Sequence, residues 1–466
     1  MSNRPGQQAQ PGKNQSQTER IKQLQTARVP GNPGSPFLTS PANFGSTLTR
    51  AALDKKQEGQ IIPLPPLKRV PPVMELAEVV GSQYVQQIQQ DGQLVFHCVG
   101  DTGLGSPWDV DAVAQIMEMD LNRPNPADHP AFFFHLGDVV YNTQYSTPES
   151  KSKMYQPQFY IPYGPYTGKI LAIPGNHDSN PQEDPQSVDA FQDNFCAIPP
   201  ATAPGLTVAL QSPNRPPMYQ PGVYYRLDAP FAQIIALFSN GGETEGVIRG
   251  GTGGATNGGI VGDDQWNFLV TELRAVKAAR DAAGTAPRPA LIVAMHHPPF
   301  SGGGGHSGSS YMLADMDAAF QAAGISPDAV LSGHAHVYQR FRRLVPFGAK
   351  TMEVPYVVAG NGGHGPIQPV KPSFERTPVK TPVQGVSADG SSDHSLRQYF
   401  NGFGHLMITV TSRVLTINLI GTHTQTHQPV DSVTVDLVTN KIIHETPPFD
   451  HPTAGEVSSA HPKKPS

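Results

Sequence analysis

An α/β fold is predicted for this 466-residue chain, and three features of the sequence carry the prediction. Short apolar runs recur from residue 93 to residue 334 and end in Gly, Ser or His, as buried strands do. Helical periodicity fills several of the gaps between them, and alternation of strand with helix is the pattern of a sheet crossed by helices. The composition also permits a large core: 37% hydrophobic and 15% charged residues make the chain too apolar and too weakly charged to be wholly disordered.

Residues 1–83 are rich in Gln, Pro, Ser and Asn, with Phe37 and Phe44 the only aromatics, so a largely disordered polar and Pro-rich arm is expected there. Its stretch IIPLPPLKRVPP (61–72) either lies extended along the folded domain or serves as a docking peptide. From Val73, VMELAEVVGSQYVQQIQQ reads as a helix, and Asp91-Gly92 as a turn into the strand QLVFHCVG. AFFFHLG (131–137), KILAIPG (169–175), AQIIALFS (232–239), ALIVAMH (290–296) and DAVLSGH (328–334) read as further strands. Between the last three, Trp266, Leu269, Val270 and Leu273 share one helical face, and YMLADMDAAFQAAG supplies a second helix. After Tyr356 strands follow without helices, notably HLMITVTSRVLTINLIG and SVTVDLVTNKII, and are expected to complete a second sheet. The folded domain is placed at 84–445, and 446–466 reads as a disordered tail. Two Gly-rich insertions, 240–259 and 301–310, are too long for tight turns; each is either a functional loop or a surface excursion.

Several function classes are disfavoured at once. A formal charge of −5 gives no basic field for nucleic acid or anionic membrane, so no nucleic-acid or membrane partner is expected. No window approaches the roughly 18 consecutive apolar residues of a membrane span, and the first 20 residues lack the apolar segment of an export signal. The chain is therefore read as soluble and cytoplasmic. Two cysteines, Cys98 and Cys196, are too few for a disulfide scaffold, and Cys98 in its apolar run reads as an inert buried thiol. Oligomeric state is not legible.

The chemistry is concentrated just past the strand ends, where α/β sheets gather functional groups. Successive strands end in Gly100-Asp101-Thr102-Gly103, Gly137-Asp138-Val139-Val140-Tyr141, Gly175-Asn176-His177-Asp178, His296-His297-Pro298 and Gly333-His334-Ala335-His336. Each tetrapeptide alone is weak, because Gly-Asp turns and strand-end histidines are common. Five together present carboxylates and imidazoles that suit first-row metal ions, and a shared carboxylate can bridge two ions about 3.5–4 Å apart.

The ordered set GDTG, GDVVY, GNHD, VAMH and GHAH resembles the calcineurin-like metallophosphoesterases, specifically their purple acid phosphatase branch. Most of that family carry Asp-x-His in the first motif; here Gly103 stands in the His position and Tyr141 appears three residues after Asp138. The resemblance implies a four-layer αββα sandwich of two mixed β-sheets flanked by helices. It also implies that Asp101, Asp138, Tyr141 and His336 hold a first metal ion, with Asp138 bridging to a second held by Asn176, His296 and His334. Fe(III) paired with divalent Fe, Zn or Mn is implied as the cofactor, the phenolate of Tyr141 favouring the trivalent ion. Two such ions carry five positive charges against three from Asp101, Asp138 and the phenolate, a surplus that attracts phosphate.

The implied activity is hydrolysis of small phosphoric monoesters, a metal-activated water attacking phosphorus in line. A phosphodiesterase or nucleotide hydrolase on the same metals is the alternative within enzymes, and a partner-recruiting scaffold with a vestigial site the alternative outside them. His177 and His306 resemble the branch's substrate-contacting histidines, His177 as contact or acid or else as a structural group, and His306 as a second contact or else as a polar residue that a Gly-rich loop simply accepts. Asp178 departs from the Glu more usual in the third motif, and the first 90 residues are too polar to form the N-terminal β-sandwich domain of the large plant-type enzymes. His297 is expected on the opposite face of its strand from His296, and His364 in AGNGGHGP lies either near the site or on a surface loop. His97 and His135 lie within strands and read as buried hydrogen-bonders; His405, His423 and His427 have no assignable partner.

Overall fold

The computed structural model describes residues 64–447 apart from 104–106, 142–153, 180–186, 198–217, 242–245, 249–262, 285, 304, 348–349, 371–382, 385–392 and 424–427. The predicted arm up to residue 63, the tail beyond 447 and most of the insertion at 240–259 lie outside the described residues. In chain order the strands are β1 (Val73–Glu75), β2 (Gln93–Val99), β3 (Phe132–His135), β4 (Lys169–Ala172), β5 (Tyr225–Ala229), β6 (Ala232–Ala236), β7 (Ala290–Met295) and β8 (Ala329–Ser332). They continue as β9 (Tyr338–Phe347), β10 (Lys350–Ala359), β11 (Val383–Gln384), β12 (His394–Phe400), β13 (Gly404–Thr411), β14 (Val414–Gly421), β15 (Asp431–Asp436) and β16 (Lys441–Glu445). The α-helices are α1 (Leu76–Val80), α2 (Ser82–Asp91), α3 (Pro107–Asp120), α4 (Asp189–Phe195), α5 (Asp264–Ala283) and α6 (Ser310–Ala323).

Two mixed sheets face each other. One has the order β16-β15-β14-β13-β2-β3-β4, with β2, β3 and β4 parallel and β13 to β16 an antiparallel extension. The other runs β1-β5-β6-β7-β8-β10-β9-β12-β11, with β6, β7, β8 and β10 mutually parallel. Period-2 alternation decides what lies between them. Leu94, Phe96 and Cys98 of β2 point inward with Phe132 and Phe134 of β3, against Ile234, Ile292, Ala294 and Leu331 of the opposite sheet. Burial of each such phenylalanine contributes on the order of 2 kcal/mol. Cys98 is a fully buried free thiol in this layer.

Helices cover both outer faces, completing the four layers. Leu269, Val270, Leu273 and Val276 of α5 and Met312, Met316 and Phe320 of α6 pack on Leu291, Val293 and Val330. Trp266 lies at the edge of that cluster, and the Ser309 hydroxyl caps α6 by accepting from the Met312 N–H at 3.1 Å. On the other face Val113 and Met117 of α3 join Val99, Phe133 and the tyrosines Tyr155, Tyr163 and Tyr166.

Three expectations change. The helix read from Val73 is instead a strand followed by two helices, because Val73–Glu75 pairs parallel with Arg226–Asp228 and Gly81 at φ 88° breaks the helical path. The folded unit accordingly starts before residue 84: β1 is an edge strand, and Leu64 and Leu67 pack against the outer cluster. Of the strands after Tyr356, β13 to β16 join the sheet of β2, whereas β12 returns to the other.

Candidate metal centre

Three parallel strands of one sheet and three of the other end at the same place. The loops after β2, β3 and β4 bring Asp101, Asp138 with Tyr141, and Asn176; those after β7 and β8 bring His296, then His334 and His336. Gly100 N–H donates to the Ala359 carbonyl at 2.9 Å, tying the end of β2 to the end of β10. Asp101, Asp138 and His334 have φ of 59°, 54° and 70°. Left-handed backbone costs a non-glycine residue about 1 kcal/mol or more and collects at functional sites. Gly175 allows the closest approach, since a Cβ there would lie 2.1 Å from Asp138 Oδ1.

The donors converge in two groups. Around Asp101, the Tyr141 hydroxyl donates to Oδ1 at 3.1 Å and lies 3.1 Å from His336 Nε2, while His336 Nε2 is 3.5 Å from that same Oδ1. Around Asn176, Oδ1 stands 3.1 Å from His296 Nε2 and 2.9 Å from His334 Nδ1. Asp138 sits between the groups, its Oδ2 3.4 Å from His296 Nε2 and its Oδ1 accepting from the His177 N–H at 2.9 Å. Asp101, Asp138 and His296 offer ligand atoms that all lie within 4.8 Å of one another.

The chemistry of this donor set fits cations. His296 Nδ1 can only donate to the Leu136 carbonyl at 2.9 Å, which leaves its Nε2 lone pair facing two oxygen acceptors. Something positive must stand there. A proton meets the demand: burial opposes it, but the Asp138 and Asp101 carboxylates outweigh burial and raise His296 to about 9. A metal ion is the other way to meet it. Burial and then the Asp138 charge push Asp101 well above the usual carboxylate range, whereas His296 and His177 overcome burial and hold Asp138 well below it. Among the described residues no Lys or Arg pairs with either carboxylate. Burial, with Asp101 and Asp138 beside it, holds the Tyr141 phenol protonated well above its usual range.

The remaining predicted residues also arrive. His177 is half-buried with its ring 4.3 Å from that of Tyr141, and His306 is buried with its ring 4.1 Å from His334 and 5.3 Å from His336. Burial lowers His306 to about 4, so its imidazole is neutral at neutral pH. Asp178 is buried and bonded to the backbone. Its carboxylate accepts from the N–H groups of Val139, Val140 and Gly175, clamping the third motif to the second. His297 meets Ser239 Oγ through Nδ1 at 2.8 Å, and its ring lies 4.4 Å from that of His334 and 5.2 Å from that of His296.

Two participants had no decisive sequence signal. Asn240 donates from Nδ2 to the Pro174, Gly175 and Ser179 carbonyls, bracing the loop that carries Asn176. His364, which the sequence left between site and surface, stacks its ring on Tyr141. A second group with convergent ligand atoms, His97, Asp120 and His405, lies inside the outer layer, joining β2, α3 and β13.

A family model described as calcineurin-like phosphoesterase matches residues 94–338, just over half of the chain. No curated protein matches the sequence. Among solved structures, PhoD is similar at 11% identity with a TM-score of 0.47, covering 77% of this chain and 72% of that one. GAP50, described as the anchor in the inner membrane complex of Plasmodium, is similar at 13% identity and TM-score 0.45, with coverages of 73% and 87%. A dimetal phosphatase from Danio rerio is similar at 7% identity and TM-score 0.40, with coverages of 74% and 98%. Among the described residues no helix is long and apolar enough to cross a membrane.

Proposed function

The chain belongs to the calcineurin-like phosphoesterase family and is a hydrolase, and we propose that it is a two-metal phosphoric monoester hydrolase of the purple acid phosphatase type. The observation that carries this reading is the Tyr141 hydroxyl, 3.1 Å from both Asp101 Oδ1 and His336 Nε2. A phenol in that position belongs to the donor set. Asp101, Asp138, Tyr141 and His336 would hold Fe(III), and Asp138, Asn176, His296 and His334 a divalent Fe, Zn or Mn. When bound, such ions polarise the phosphoryl oxygens and activate water for in-line attack.

The chain's own residues do the rest. Asp138 draws the two donor groups together, and Asp178 fixes the loops that present them. Leu136 fixes the tautomer of His296 so that Nε2 faces the donors. His177 stands beside Tyr141 and His306 beside His334, so both imidazoles can reach a phosphoryl group seated over the donors. As the bond from phosphorus to the leaving oxygen breaks, that oxygen needs a proton, and His177 supplies it.

The visible absorption spectrum of concentrated protein, with elemental analysis of the same sample, tests the reading. A purple band with iron present, lost in Tyr141→Phe, is expected. Colourless protein holding two divalent ions would keep the hydrolase and remove the iron. The substrate class is tested by relative rates on an aryl phosphate monoester and the matching diester; a dominant diester rate would sink the monoester assignment.

A further inference from the structure

His364 is used by nothing described above, yet its contacts are concentrated on the first donor group. Its backbone N–H donates to the Asp101 carbonyl at 2.9 Å, and its Nδ1–H to the Gly103 carbonyl at 2.6 Å. Its ring lies on the ring of Tyr141 with centroids 3.5 Å apart and planes 8° apart, and meets His336 edge-on at 4.7 Å. Tyr141 is thus flanked by His364 and by His177, whose ring centroid is 4.3 Å away. Gly103 explains why the supporting ring comes from elsewhere in the chain. A Cβ at 103 would lie 2.7 Å from both the Val139 carbonyl oxygen and Val140 Cα and 2.8 Å from Gln158 Oε1, so no side chain fits and only the carbonyl is presented. The loop after β10 takes that carbonyl and delivers an imidazole in its place.

We infer that His364 is the positioning residue of Tyr141: held at Gly103 by Nδ1 and at Asp101 by its backbone, it fixes the plane of the phenol so that the hydroxyl stays between Asp101 Oδ1 and His336 Nε2. The inference rests on the reading of Tyr141 as a metal-holding group. Stacked aromatic pairs contribute enough to predict an affinity change of about three- to tenfold when the stack is removed.

The test uses full-length protein loaded with Fe(III) alone, reading iron affinity by competition with a chelator and the wavelength of the visible band. His364→Asn removes the ring but keeps an N–H for Gly103; His364→Phe keeps a ring for Tyr141. His364→Asn is expected to weaken iron about three- to tenfold and shift the band, His364→Phe to restore most of the affinity, and His364→Asn to have no further effect on affinity in a Tyr141→Phe background. An equal loss in both backgrounds, or an unshifted band with unchanged affinity, would overturn the inference while leaving the function intact. Unchanged affinity and spectrum in Tyr141→Phe alone would overturn the metal-holding role of Tyr141, and the inference with it.

Discussion

Two buried His–Asp clusters lie in the same molecule, both with convergent ligand atoms, and they differ in what balances their charge. His97, Asp120 and His405 are each fully buried, as Asp101 is, and their ligand atoms converge as closely as those of Asp101, Asp138 and His296. In the first cluster every oxygen is already answered. His97 and His405 each place Nε2 3.1 Å from Asp120 Oδ2, Arg123 donates to Oδ1 at 2.7 Å, and the Tyr166 hydroxyl meets His97 Nδ1 at 3.2 Å. The guanidinium supplies the countercharge, so the group works as a polar tie between β2, β13 and the end of α3. At the strand ends no such cation pairs with Asp101 or Asp138 among the described residues, and an imidazole lone pair faces oxygen. Residue types are shared; the guanidinium is not.

The largest effect should come from the strand-end cluster. Asn176→Ala and His296→Ala are each expected to lower turnover of an aryl phosphate roughly 10³- to 10⁴-fold while circular dichroism is unchanged. Turnover surviving both changes would mean the chemistry lies elsewhere. The opposite signature is expected at the tie: Asp120→Ala removes the acceptor shared by two buried imidazoles and a part-exposed guanidinium and should cost about 3–4 kcal/mol in denaturant unfolding. Metal content of the folded fraction should not change, and a loss of bound metal would erase the distinction between the clusters.

Acid should also act on the tie. Burial, only partly opposed by Asp120, lowers His97 from 6.5 to about 4. The unfolded chain therefore takes up a proton that the fold refuses, so this group's contribution is complete above pH 6.5 and is lost as pH falls towards 4. The loss is roughly 3 kcal/mol. Unfolding free energies at pH 7 and pH 4.5 should differ less in His97→Gln than in the parent, and an equal difference would remove His97 as the cause. The smallest effect is expected one contact away from the candidate donors. Ser239→Ala removes the hydroxyl that meets His297 Nδ1, and since His297 packs on His334 it should weaken metal binding about tenfold by chelator competition with no change in stability beyond about 1 kcal/mol.

Much of this was legible along the chain. The short apolar runs at 93–100 and 131–137 mark buried strands without showing which side chains face the other sheet, and the face shared by Leu269, Val270 and Leu273 marks where α5 packs. Predicted donors stand just past the strand ends because an apolar run followed by Gly and a polar residue is a local signal. Val73–Glu75 was hidden because three residues carry no periodicity and the strand exists only by pairing with Arg226–Asp228. His405 had no readable partner because Asp120 is 285 positions away.

The strand–helix alternation, the strand ends and the carboxylates and imidazoles just past them are readable along the chain, since these follow from periodicity and residue chemistry over a few neighbouring positions; the four-layer arrangement came with the motif resemblance. Folding across long sequence separations sets that Asp120 meets a guanidinium while, among the described residues, Asp101 and Asp138 do not, that Tyr141 reaches Asp101 and His336, and that His364 returns to lie on Tyr141. Those outcomes depend on two facing sheets whose strand ends come together, with the Gly100 N–H bonded to the Ala359 carbonyl, and on distances between residues that the chain keeps far apart. Charge and hydrogen-bond balance are properties of a filled volume, and that volume is closed only when both sheets are in place.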